Sequence, residues 1–137
     1  MKSNLYIVWN DQNSLGIPII DEQHRGIVST INSLHYFVKQ GQGDEALTPT
    51  LSILEQYTKI HFRIEESLMI NANYPGFDEH VLLHKDLWKK TIAIAQESKL
   101  SKDADAVLNF LKTWWLGHIN GEDRKYGPVV KKARVYK

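Results

Sequence analysis

Four stretches of this chain repeat apolar residues every three or four positions, and the segments between them are short and contain Gly, Pro, Asn or Asp. The first begins near Asp21, a good N-cap, and carries Ile27, Ile31, Leu34 and Val38 until Gly41-Gln42-Gly43 stops it. The second starts around Asp44 or Thr48, with Pro49 acceptable in a first turn. It shows Leu51, Leu54, Ile60, Ile64 and Leu68 before Asn71-Ala72-Asn73. After a Tyr74-Pro75-Gly76 turn, the third runs from about Asp78 into the 97–100 region, with Leu83, Leu87, Thr91, Ile94 and Ala95 on its inner face. The fourth follows from Asp103 or Asp105 through Val107, Leu108, Leu111, Trp115 and Ile119, is blurred by Gly121 and is closed by Gly127-Pro128. Helices of similar length on short connections predict an all-α, antiparallel up-down-up-down four-helix bundle. The expected organisation is one domain over 1–137: an N-terminal arm over 1–19 packed on the helices, the bundle over 20–127, and a C-terminal tail over 128–137.

Composition removes most other classes. A chain of 137 residues can bury a real core unaided. Lys+Arg 17 against Asp+Glu 16 leaves no global field to favour nucleic acid or an anionic membrane as partner. Apolar runs such as Ile17-Pro18-Ile19-Ile20 and Val81-Leu82-Leu83 are too short to cross a bilayer. The N-terminus meets polar residues before a signal-peptide hydrophobic region develops, so no export signal is expected and the chain is placed in the cytoplasm. The absence of cysteine excludes disulfides, thiolate sites and Fe–S clusters, so any metal must be held by nitrogen and oxygen.

Six histidines, His24, His35, His61, His80, His84 and His118, are spread so that every predicted helix carries at least one. His80 and His84 at i,i+4 share one helical face and can reach the same ion. His61 and Glu65 repeat that spacing on the second helix. His118 and Asp123 are five apart, which an ideal helix places about 140° apart. Asp123 therefore requires local unwinding, which Gly121 would permit, or a donor atom reached from another height. A lone helical histidine is more often a surface or hydrogen-bonded residue, and an isolated His-x-x-x-His is weak. Inward histidines from four helices, with carboxylates from two of them, are much harder to explain by packing. His35 lies about 16 Å along the helix from His24 and is read as structural or exposed.

Counting donors indicates the kind of centre. Two six-coordinate irons offer about twelve positions. Five imidazoles, two bridging carboxylates and a bridging oxide or hydroxide leave about one open, which suits a diatomic ligand that takes electrons and returns them. The Glu-x-x-His motifs of carboxylate-rich di-iron bundles do not occur in this chain.

Taken together, Asp21-Glu22-Gln23-His24, His61-Phe62-Arg63-Ile64-Glu65-Glu66, His80-Val81-Leu82-Leu83-His84 and Trp114-Trp115-Leu116-Gly117-His118-Ile119 with Asp123 resemble the hemerythrins, particularly the bacterial hemerythrin-like domains. Trp9 and the Tyr74-Pro75-Gly76-Phe77 turn extend the resemblance over nearly the whole chain. It implies that His80, His84 and His118 hold one iron, that His24 and His61 hold the other, and that Glu65 and Asp123 bridge them. It further implies reversible dioxygen binding at the iron with fewer protein ligands, in an apolar pocket of Ile27, Phe62, Trp114, Trp115 and Ile119 that is also open to small anions such as azide. Where the family pattern usually has Leu three residues before the fourth-helix histidine, this chain has Trp115. The same site would serve oxygen carriage or storage, or oxygen sensing as part of a longer signalling receptor chain. A di-iron peroxidase or nitric-oxide scavenger is the weaker alternative, since the chain shows no dedicated acid or base, and the protein is read as a binder and not an enzyme.

Overall fold

Pro18 opens the first helix, α1 (Pro18–Lys39), in the computed structural model, which describes residues 5–115 and 117–133 without the side chains of 114, 115, 119 and 120. Its ring presets φ where the missing N–H costs nothing. The helix thus starts three residues before Asp21. That residue instead sits buried in the first turn and accepts bonds from the arm: Ser14 Oγ at 2.5 Å, the Leu15 N–H at 2.7 Å and the Gly16 N–H at 3.3 Å. The arm is pinned again where Ile7 and the Asn32 side chain exchange two hydrogen bonds of 2.8 Å.

Two helix ends show why the chain reverses where it does. Gly41, at φ +75°, follows the last turn of α1, with the Gln42 N–H bonded to the Phe37 carbonyl and the Gly41 N–H to that of Val38. The same pair of bonds closes α2 (Gly43–Asn71), where Asn73 takes the left-handed position at φ +53°. α2 begins at Gly43, so Pro49 lies inside the helix and not in its first turn. α3 (Phe77–Ser101) then returns, and α4 (Ala104–Phe110) opens with the Asp103 side chain accepting from the Ala106 N–H at 3.0 Å. The last helix is not regular. Two wide π turns, Leu111–Trp115 and His118–Glu122, separate α4 from α5 (Asp123–Ala133). Pro128 lies within α5 and Val130 is fully buried, so Gly127-Pro128 does not close the helix and the described part of the expected tail is its last turn.

α1 packs on α2, α2 on α3, and the fourth helical segment closes against α1 and α3, giving the up-down-up-down bundle. Its interior holds two apolar clusters. One gathers Ile27, Ile31, Leu34, Leu51, Leu54, Leu87, Val107 and Leu111. The other gathers Leu15, Ile17, Ile20, Leu68, Met69, Tyr126 and Val130. Between them the inward stripes turn polar. On α2 the buried sequence runs Leu51, Leu54, Thr58, His61, Glu65, Leu68, and Ile60, expected on this face, is 60% exposed. On α3 the stripe runs His80, His84, Leu87, Thr91, Ala95. No helix among the described residues is long and apolar enough to cross a membrane.

Candidate metal centre

His61 and Glu65 lie one turn apart on α2, and His80 and His84 one turn apart on α3, so each pair projects inward from an unbroken helix. The fourth helix reaches the same place by a different geometry. The Asp123 N–H donates to the His118 carbonyl, an i→i+5 bond that widens the turn and brings these two residues onto one face. His24 enters from α1. The seven side chains converge at 0–8% exposure in the layer between the two apolar clusters.

Their donor atoms fall into two overlapping groups. His80, His84 and His118 gather with Glu65 and Asp123, and His24 and His61 gather with the same two carboxylates. Asp123 divides its oxygens between them: Oδ1 is 2.9 Å from His80 Nε2 and 3.0 Å from His118 Nε2, while Oδ2 is 3.0 Å from His24 Nε2. Glu65 Oε1 is 3.1 Å from His84 Nε2 and 3.3 Å from His61 Nε2, and its Oε2 is 3.6 Å from His24 Nε2. Two ligands each about 2.1 Å from an ion and at right angles lie roughly 3 Å apart, which is the spacing these contacts show.

The site also fails to satisfy itself. His24 Nδ1, Glu65 Oε1, the Nε2 atoms of His80, His84 and His118, and both Asp123 oxygens are buried without a hydrogen-bond partner. Stranding so many polar atoms together is costly unless a cation binds those that face the centre, which are all of them but His24 Nδ1, turned away because His24 presents Nε2. Charge points the same way. Burial and mutual repulsion raise the Glu65 carboxyl, yet the surrounding imidazoles outweigh them and hold it below the usual carboxylate range. Burial likewise opposes ionisation of Asp123, and His118, His24 and His80 overcome it. His24 is raised to about 9, its burial outweighed by Asp123 and Glu65, while burial pushes adjacent His61 down to about 4. The layer thus keeps its two carboxylates ionised among the imidazoles, as donors to a cation must be.

Three supporting residues escaped the reading of the sequence. Gln23 Oε1 is 2.7 Å from His61 Nδ1, and Glu66 Oε2 is 2.7 Å from His84 Nδ1. Accepting from these N–H groups leaves each Nε2 lone pair pointing inward. The Tyr126 hydroxyl, fully buried, donates to Glu65 Oε2. Gln23 and Glu66 adjoin His24 and Glu65 in sequence, and that adjacency was the available signal. Of the expected pocket residues, Ile27 is buried at 0% exposure and Phe62 at 7%, with the Phe62 ring stacked on His84 at 3.8 Å. The side chains of Trp114, Trp115 and Ile119 lie outside the described residues. His35 is apart from the site, stacked on Tyr6 at 4.7 Å.

A four-helix bundle with two overlapping sets of buried imidazoles and carboxylates defines a dinuclear cation-binding domain. Residues 15–130 match the family model described as the hemerythrin HHE cation binding domain, and the chain belongs to the hemerythrin family. It is 32% identical over 126 residues to a bacteriohemerythrin of Stenotrophomonas maltophilia, covering 91% of this chain and 82% of the relative. It is 31% identical over 119 residues to a hemerythrin of Sipunculus nudus, covering 87% and 89%. In fold it is similar to a solved hemerythrin carrying a leucine-to-tyrosine substitution, with a TM-score of 0.80 at 24% identity over 92% of this chain and 98% of that one.

Proposed function

We propose that this chain holds two iron ions through His24, His61, Glu65, His80, His84, His118 and Asp123 and binds dioxygen reversibly between them and the apolar wall of the site. The observation that carries the reading is the convergence of two overlapping donor groups in which Glu65 Oε1, both Asp123 oxygens and the Nε2 atoms of His80, His84 and His118 are buried without a hydrogen-bond partner. His80, His84 and His118 would hold one ion and His24 and His61 the other, with Glu65 and Asp123 shared. The unequal count leaves room at the second ion. When bound, the iron pair supplies the electrons that dioxygen takes and gives back.

The protein's own work is positional. Glu66 and Gln23 fix the tautomers of His84 and His61, and Tyr126 orients Glu65. Ile27 and Phe62 keep water from the centre, a role in which Trp114, Trp115 and Ile119 are expected to join. Excluding water disfavours loss of the reduced ligand as a protonated product, and reversibility depends on that. The activity is therefore read as binding and not turnover. Small anions such as azide are expected to compete for the oxidised centre.

The test is a cycle. Protein expressed with ample iron should carry about two irons per chain. The reduced protein mixed with oxygen should gain visible absorption bands that vanish when the gas is removed. Irreversible oxidation in one fast turnover would overturn reversible carriage, and one zinc with no iron would overturn the centre itself.

A further inference from the structure

A groove of about 470 Å³ opens between α2 and α3 beside the metal centre. Lys59, Arg63 and Lys85 stand around it, and Phe62 and His84 lie at its inner end. None of the three cations is within 4 Å of a carboxylate among the described residues. The carboxylate in the groove, Glu66, is engaged by His84 Nδ1 at 2.7 Å. Lys59 Nζ sits 5.3 Å from the centre of the Trp88 ring, which holds its charge at the mouth. The groove therefore presents positive charge outside and aromatic and aliphatic surface within. Two contacts join its inner end to a proposed iron ligand: the Phe62 ring lies parallel to His84 at 3.8 Å, and Glu66 is bonded to the same imidazole.

We propose that this groove is an electron-entry site that docks a small anionic, ring-bearing reductant of the reduced flavin mononucleotide class. The inference rests on the di-iron reading. Its volume is in the range of small-molecule sites, and the choice of occupant rests on the charge and the rings that line it. The cations select a negative group, and Trp88, Val81 and Phe62 select a flat ring beside it. A ring seated there meets Phe62 and His84 at the inner end of the groove, and those two rings are themselves stacked. The chemistry balances as an outer-sphere transfer: the reduced flavin gives one electron to each of two ferric ions and releases two protons to solvent. Two ferrous ions and oxidised flavin remain, and no bond to the protein forms.

The experiment compares two reductants on the oxidised, iron-loaded protein. Reduced flavin mononucleotide carries negative charge, and the methyl viologen radical carries positive charge that the groove repels. The ratio of their reduction rates should fall on the order of fivefold in Lys85→Glu and again in Arg63→Glu, because a reversed rim charge acts on encounter with the anion and not with the cation. In the wild-type protein the ratio should also fall as salt rises, which keeps the test open should a variant fold poorly. Oxidised flavin mononucleotide should bind the zinc-loaded protein in equilibrium dialysis and bind Lys85→Glu more weakly, a readout that needs no iron. An unchanged rate ratio in both variants and in salt would overturn the proposal, as would equal flavin binding by wild type and variant. Failure to load iron, with flavin binding intact, would count against the di-iron reading alone.

Discussion

α3 and the fourth helix deliver two donors each to the same layer, and they do it by opposite means. On α3, His80 and His84 are four residues apart in a regular helix, so the period of the helix itself aligns them. On the fourth helix, His118 and Asp123 are five apart, and a π turn closed by the Asp123 N–H supplies the alignment that the α-helix withholds. The first arrangement is written in the spacing. The second needs a backbone exception, and exceptions of this kind persist where something else stabilises them. A π turn is equivalent to one residue inserted in an α-helix, so the comparison can be broken by taking a residue out.

The largest expected contrast is between two such deletions. Removing Leu82 from α3 leaves the histidines three apart and rotates everything beyond by about 100°, so iron content should collapse. Removing Gly121 returns His118 and the following aspartate to i,i+4 in a regular helix, so iron content should stay near that of the intact protein. Thermal stability should be unchanged or higher by up to ~1 kcal/mol, since a helical glycine is lost. Metal analysis and melting curves decide it, and equal loss in both deletions would sink the idea that the π turn is an accommodated insertion.

Single donors come next. Asp123→Ala should lower iron content more than His84→Ala, because Asp123 faces both groups and His84 only one. Both should lower stability by several kcal/mol, since ligand-binding energy is also folding energy. Comparable iron in the two variants would argue against a shared role for Asp123. Smaller still is the support of the imidazoles: Glu66→Gln keeps an acceptor for His84 Nδ1 but removes its charge, and iron affinity measured by chelator competition should fall by about tenfold. The smallest effect belongs to His35→Ala. Its ring stacks on Tyr6 away from the centre, so iron content should be unchanged and stability should drop by about 1 kcal/mol at most. If His35→Ala removes iron as His84→Ala does, the placement of α1 against the site is wrong.

Much of this was legible because it depends on periods and caps. The four helices, the stop at Gly41, the Asp103 cap and the inward histidines follow from spacing and local chemistry. What failed to show itself depends on contacts across the bundle. Ile60 fits the apolar period of α2, yet Thr58, His61 and Glu65 take the inner positions, because the donor layer must face inward there. Pro128 reads as a stop, but Tyr126 and Val130 on either side of it bury themselves and carry the helix on to Ala133. Gln23, Glu66 and Tyr126 owe their places to partners 38, 18 and 61 residues away, a distance no local pattern encodes.

The donor layer separates two apolar clusters, one built mainly from α1, α2, α3 and α4, the other from the arm, the ends of α1 and α2, and α5. Each is small for a core that must stand alone. The ligands of each candidate ion come from three of the four helices, so two ions bound there clamp all four at the plane where the two clusters meet. Metal occupancy would then govern cooperativity as well as affinity: filled, the bundle melts as one body, and emptied, it is two modest assemblies joined across a layer of buried polar atoms that lack hydrogen-bond partners.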